Sequence, residues 1–253
     1  MRLLSWNCQG LGNSWIVQSL HDIVRDQAPI VCFLMETIID RDGFMHHCRE
    51  LAFSNKLIVK KPDFGGGLAL IWKEEFRLEV FNYTNNHVLA KVVEDNGFQW
   101  FFTGFYGWPK MNQKHKSWAL LRHLSSLVNV LWCCVGDFNA FLHFSKKLSI
   151  HPPSVKQMED FGAALEDCHL IDLGFQGYKF TWNNKQLGAA NTRERLDRGF
   201  ANKEWLDIFS VSIVSHKFSY ASDHMPIIAQ GFKFEEQWLL DEDCGNVVEE
   251  AWG

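Results

Sequence analysis

The 253-residue chain predicts an α/β or α+β layered domain. Three observations carry that reading. Apolar runs of strand length recur, amphipathic helical patterns interrupt them, and no Pro/Gly/Ser-rich linker divides the chain before residue 231. The strand-like runs are residues 3–6, 30–35, 57–59, 68–72, 78–81, 88–93, 100–106 and 131–135, then 179–182, 196–200, 211–214 and 226–229. Ile16, Leu20, Ile23 and Val24 form one apolar helical face before Pro29, and Trp118, Leu121, Leu124 and Val128 form a second. Ser154-Val155-Lys156-Gln157 reads as a capping box opening a third helix, with Met158, Phe161 and Leu165 on its inner face. Asn202 is placed to cap a short fourth helix carrying Trp205 and Phe209. Gly65-Gly66-Gly67 reads as a tight turn into the run at 68–72. The Lys-Ser/Thr that would make it a phosphate cradle does not follow. We therefore expect one domain over residues 1–231 and an acidic connector tail over 232–253, truncated from something longer.

Composition closes off several classes. With 47% apolar and 22% charged residues and no low-complexity tract, disorder, collagen and coiled coil are excluded. No apolar run approaches the roughly 20 residues of a membrane span, and no signal-peptide stretch follows Arg2. The expectation is a soluble, intracellular chain without membrane contact, nuclear if it acts on chromosomal DNA. Seven scattered cysteines without a C-x-x-C pair read as small buried hydrophobes in a reducing compartment, and zinc has no motif signature. The net charge of −5 is uneven. Seven acids against Lys233 give the segment 232–253 a net −6 and leave about +1 for the body. Nucleic acid therefore stays open as a partner, with weak and salt-sensitive binding.

The chemistry is suggested by position. Four apolar runs end in a polar residue suited to catalysis: Asn7, Glu36, Tyr106, and Asp137 with Asn139. A fifth cluster, Ser222-Asp223-His224, precedes the run at 226–229. Polar groups at strand ends lie on the rim of a sheet, where sites are built from several segments at once. Glu36, Asp137 and Asp223 are hard oxygen ligands with Asn7 and Asn139 as neutral ones, a set suited to Mg²⁺ or Mn²⁺. His224 is suited to donating to a phosphate. The reaction inferred from the residues is metal-assisted phosphoester hydrolysis without a covalent nucleophile.

Six ordered motifs resemble the exonuclease–endonuclease–phosphatase (DNase I-like) superfamily. They are Trp6-Asn7, Leu34-Met35-Glu36-Thr37, Gly104-Phe105-Tyr106-Gly107, Gly136-Asp137-Phe138-Asn139, Arg195-Leu196-Asp197 and Ser222-Asp223-His224. The runs at 66–72, Asp172-Leu173-Gly174-Phe175, Phe180-Thr181-Trp182 and Glu194-Arg195-Leu196-Asp197-Arg198 are similar to the apurinic-type endonuclease domain of plant long-interspersed-element (non-LTR) retrotransposons. The resemblance implies a four-layer sandwich of two packed, mostly antiparallel sheets flanked by helices, with the site at one rim. It also implies residue roles. Glu36 is the principal metal ligand and Asp223 a second metal-side carboxylate. Asp137 positions or deprotonates the attacking water, which Asn139 helps to orient, and Asn7 lies beside metal and water. Tyr106 contacts the scissile phosphate, His224 binds it, and Asp197 orients His224. The sequence departs from the pattern at Gln9, where repair-type apurinic endonucleases carry a metal-site aspartate, at Ala140, and over 143–153.

The resulting expectation is an Mg²⁺-dependent, DNA-nicking endonuclease, monomeric, with Mn²⁺ as substitute metal and a reverse transcriptase portion missing from this chain. Phe180, Trp182 and Arg195 are candidates for DNA contact, as are the surface cations Lys114, Lys116, Arg122 and Arg193. His46-His47-Cys48 reads as the solvated face of a surface helix. Two alternatives stay open: a superfamily phosphoesterase acting on a small molecule, and a catalytically inactive relic.

Overall fold

A computed structural model describes residues 1–39, 41–60, 66–128, 130–149 and 154–232. In chain order its elements are β1 (Arg2–Asn7), α1 (Ser14–Gln27), β2 (Val31–Met35), α2 (Arg41–Glu50), β3 (Asn55–Val59), β4 (Leu68–Trp72), β5 (Leu78–Thr84), β6 (His87–Val93) and β7 (Gln99–Tyr106). There follow α3 (Lys114–Leu127), β8 (Trp132–Asp137), β9 (Lys147–Leu148), α4 (Val155–Asp167), β10 (Ile171–Asp172), β11 (Trp182–Asn183), β12 (Arg193–Glu194), β13 (Asp197–Ala201), α5 (Lys203–Ile208), β14 (Val211–His216) and β15 (Ile227–Phe232). Two six-stranded sheets result, ordered β14-β15-β1-β2-β4-β3 and β10-β13-β8-β7-β6-β5, with a small sheet β11-β12-β9 beside them. Pairing is antiparallel except for β1 with β2 and β7 with β8. The mostly antiparallel sandwich expected from the resemblance is therefore present.

In β1, β2, β4, β6, β7 and β8 the runs read as continuously apolar because both faces are buried, whereas β5 is largely exposed. Leu3, Val31, Phe33, Leu70, Val88, Ala90, Phe102 and Val135 fill the space between the two sheets. Their neighbours Leu4, Trp6, Cys32 and Leu34 turn outward onto Ile16, Leu20 and Ile23 of α1 and Phe44 and Cys48 of α2. On the other side, Leu89, Phe105, Cys134 and Phe200 meet Trp118, Leu121 and Leu124 of α3 and Phe161 and Leu165 of α4. Gly104 leaves room between the sheets for Phe33: a Cβ there would lie 2.4 Å from the Phe33 ring.

Local expectations meet the structure unevenly. Asn202 caps α5 as expected, its side chain accepting from Trp205 N. Ser154 is the N-cap of α4, but its hydroxyl makes no capping bond; its carbonyl accepts from Met158 N at 3.4 Å instead. The run at 179–182 yields only the two-residue β11 (Trp182–Asn183), because bends at 179 and 181 interrupt the extended backbone. Cys48 corrects the reading of His46-His47-Cys48 as solvated: it is buried between α2 and β-sheet residues, while His46 is exposed. The six described cysteines are all buried and free. The proposed tail falls, beyond Phe232, outside the described residues, as does Gly65 of the glycine turn. Among the described residues no helix is long and apolar enough to cross a membrane.

Candidate active site

The polar strand ends converge at one rim of the sandwich. Parallel pairing sets Asn7 beside Met35, one residue before Glu36, and Tyr106 opposite Asp137. Antiparallel pairing sets Asp197 opposite Asp137. One amide then joins the two sheets: Asn7 Nδ2 donates to Glu36 Oε1 at 3.1 Å and to Asp137 Oδ2 at 3.2 Å. The Tyr106 hydroxyl donates to the same Glu36 oxygen at 2.6 Å. Burial, together with the Glu36 and Asp137 carboxylates, pushes the Tyr106 phenol far up and keeps it a donor.

Glu36 is held in an unusual backbone. Its φ of 52° lies in the left-handed region, which costs a non-glycine residue about 1–2 kcal/mol. Gly66 stabilises it by close approach: a Cβ at Gly66 would sit 2.6 Å from Glu36 Cα, and Gly66 itself has φ +78°. Next to it, Thr37 N donates to Gly67 O at 3.2 Å. Gly66 and Gly67 are therefore the floor under Glu36, a role their sequence did not announce.

Asp137, fully buried, is held through both of its oxygens. Oδ1 accepts from Asn139 N at 2.8 Å, and Oδ2 from Asn139 Nδ2 at 3.1 Å as well as from Asn7. Burial pushes its pKa up to about 6, with Asp197 adding to the rise and His224 opposing it. Asp197 Oδ2 lies 2.9 Å from His224 Nδ1, so Nδ1–H donates to it and Nε2 is left facing the site, 3.8 Å from Asp137 Oδ2 and 3.9 Å from Asp223 Oδ1. Burial lowers the His224 pKa, but Asp197, Asp137 and Asp223 outweigh it and raise it to about 10, so the ring is an imidazolium. Its backbone is fixed by Ser222 Oγ, which accepts from His224 N and donates to Asn7 O.

Asp223 is anchored from the side, Trp182 Nε1 donating to its Oδ2 at 2.9 Å. No hydrogen bond joins Asp223 to Glu36 among the described residues; the link runs through Asn7, Asp137 and His224. Phe180 and Trp182 line, with Tyr178, Phe218 and Tyr220, a cavity of about 460 Å³ that reaches Asp223. Arg195 is not brought there. Its guanidinium is buried, donates to both oxygens of Asp172 and lies 4.5 Å from the Phe175 ring centre, so it is committed to that pair. Arg122 pairs with Asp167 away from the rim, while Lys114 Nζ bonds the Asn139 carbonyl. Gln9, where a metal-site acid is missing, is exposed.

Two residues of the site escaped the sequence reading in this role. Thr181 Oγ1 accepts from both Leu196 N and Asp197 N and so sets the start of β13. Asn86 brackets Tyr106, its carbonyl accepting from Tyr106 N and its Nδ2 donating to Tyr106 O.

The donor set fits a hard divalent cation. Three carboxylates, Asp137, Asp197 and Asp223, lie within 3.9 Å of one imidazolium and Glu36 adds a fourth to the site, leaving an excess of negative charge. Asn7 Oδ1, Asp197 Oδ1 and Asp223 Oδ1 are buried acceptors without a hydrogen-bond partner. All are oxygens, which suits magnesium or manganese better than zinc.

Oxygen donors around a paired imidazole, held at the rim of two packed sheets, are the equipment of a metal-assisted phosphoester hydrolase. That is the class this fold and site define. The chain belongs to the endonuclease/exonuclease/phosphatase family, which matches residues 4–224 and is generally dependent on a divalent metal. Among solved structures it is similar to the endonuclease domain of TRAS1, a telomere-specific non-LTR retrotransposon (TM-score 0.68, 14% identity, 92% of this chain and 99% of that one). A 3′-5′ exonuclease from Neisseria meningitidis gives a TM-score of 0.69 at 15% identity, over 91% and 99% of the two chains. An AP endonuclease from Archaeoglobus fulgidus gives 0.66 at 12%, again over 91% and 99%. At these identities the likeness is one of fold. No sequence among the curated proteins matches.

Proposed function

We propose that this chain is an Mg²⁺-dependent endonuclease of retroelement type that nicks DNA by attack of an activated water. The observation that carries the reading is the Asn7 amide bridging Glu36 and Asp137, beside the Asp197–His224 pair. Glu36 and Asp223, with the free Asn7 carbonyl oxygen, are the groups to hold the metal. When bound, Mg²⁺ polarises a phosphoryl oxygen and stabilises the leaving oxyanion.

The chain's own residues supply the rest. Asp137, with its carboxyl poised near neutrality by burial, takes the proton of the attacking water. Asn139 holds that carboxylate by its backbone and side-chain N–H groups. His224 donates from Nε2 to a phosphate oxygen while Asp197 holds Nδ1–H. Tyr106 orients Glu36, and its hydroxyl is the group to contact the scissile phosphate. The aromatic cavity beside Asp223 supports a nucleic-acid substrate over a small phosphorylated molecule, since Tyr178, Phe180, Trp182, Phe218 and Tyr220 line it and aromatic rings are the groups on which bases stack.

The test is conversion of supercoiled plasmid to open circle with Mg²⁺, with EDTA, and with Asp137→Asn and His224→Ala. We expect Mg²⁺-dependent nicking that both variants lose. A folded protein that cuts no DNA but hydrolyses small phosphodiesters would replace the DNA reading. A folded protein inert to both would make the chain a relic.

A further inference from the structure

His21 of α1 and His47 and Glu50 of α2 form a second cluster of metal-ligating atoms, outside the hydrogen-bond network of the catalytic set. His21 Nε2 lies 3.6 Å from Glu50 Oε2, and His47 Nδ1 lies 3.4 Å from the same oxygen. The three ligand atoms fall within 4.8 Å of one another. His46, one residue earlier on α2, places its Nε2 3.4 Å from Glu50 Oε1. Three imidazoles thus surround a single carboxylate at the seam between two helices.

The geometry points to a site for a zinc-class divalent cation, held by His21 Nε2, His47 Nδ1 and Glu50. Zinc bonds imidazole nitrogen and carboxylate oxygen at about 2.0–2.2 Å, so neighbouring ligands of a tetrahedral ion stand about 3.3 Å apart. The two His-to-Glu50 separations already match that edge length. Two nitrogens and one oxygen select a borderline metal over Mg²⁺, the reverse of the all-oxygen catalytic site. His47 and Glu50 share one face of α2 by their spacing of three, and His21 meets them from α1. Both histidines are partly exposed, so the ion has a path from solvent and the fourth position is left to water. His46 is a neighbour that contacts the carboxylate's other oxygen.

Such an ion staples α2 to α1. Both helices pack their apolar sides, through Ile16, Leu20, Phe44 and Cys48, on the outer face of the same sheet. α2 follows shortly after Glu36, so the staple steadies the connection that leaves the catalytic rim.

The experiment is calorimetric titration of the whole, EDTA-treated chain with Zn²⁺ in the presence of excess Mg²⁺. It is run on the wild type, Asp137→Asn, His21→Ala and His47→Ala, with Co²⁺ absorption as a second readout. We expect one equivalent of Zn²⁺ that persists in Asp137→Asn and is lost in both histidine variants. Tetrahedral Co²⁺ bands should follow the same pattern. At a hundredfold excess over Kd, Zn²⁺ should raise the wild-type Tm by about 5 °C or more and leave folded His21→Ala unmoved. A folded wild type that takes up no Zn²⁺, or uptake unchanged in both histidine variants, would overturn the proposal. Neither result depends on nuclease activity.

Discussion

Asp197 illustrates how one carboxylate controls another residue's chemistry. It accepts Nδ1–H of His224, fixing the ring's orientation, and, with Asp137 and Asp223, holds the ring cationic against its burial. Asp197→Asn keeps the shape but removes the charge. We expect the nicking rate to fall by about 10²–10⁴-fold with little change in Tm, measured by single-turnover plasmid nicking and thermal melts. The loss should shrink as pH falls, because the ring then protonates without help; a pH-independent loss would reduce Asp197 to a structural part. Its partner Thr181 had no comparable signal. A threonine between Phe180 and Trp182 looks like any strand residue, and only closure of the chain places its hydroxyl under two backbone N–H groups.

At the scale of elements, Asn202 does more than cap. Its Oδ1 accepts from Trp205 N and Trp132 N, and its Nδ2 donates to Val130 O, tying α5 to the start of β8. Asn202→Ala should therefore cost about 1–2 kcal/mol, at the upper end for a lost cap, read as a lowered urea midpoint at unchanged m-value.

Strand β14 carries a different dependence. His216 Nδ1–H donates to Tyr178 O at 2.6 Å, and the ring stacks on Phe175 at 4.9 Å. Burial, aided by Arg195 and Arg198, lowers its pKa to about 4, although the Tyr178 carbonyl and Asp172 oppose the shift. The unfolded chain binds this proton more readily. The stability it contributes is present above about pH 6.5 and is lost as pH falls towards about 4. Thermal melts from pH 7 to 4 should show Tm falling through that window, and His216→Asn, which keeps a donor towards Tyr178, should flatten the slope. His87, lowered to about 4 by burial, adds to the same window and leaves part of the slope in the variant.

For the whole molecule, the two sheets meet where Gly104 of β7, without a side chain, faces Phe33 of β2. Gly104→Ala would place a methyl 2.4 Å from that ring. The sheets must part or the ring must turn, and either moves Tyr106 and Glu36, which follow on the same two strands. We expect a loss of about 1–3 kcal/mol together with a raised Mg²⁺ requirement for nicking, measured by denaturation and metal titration. Stability lost without a change in metal requirement would show that the rim is insulated from the core.

Apolar runs ending in Asn7, Glu36, Tyr106 and Asp137 were legible along the chain because burial on both faces and polarity at a rim are local properties of a strand. The layered class and the main helices followed from the same periodicity. Partner choice was not local. That Arg195 turns to Asp172, that Gly66 supports Glu36, and that His21 meets His47 were decided by tertiary structure alone. Those contacts join segments far apart in sequence, and no spacing rule ties residues that only packing brings together.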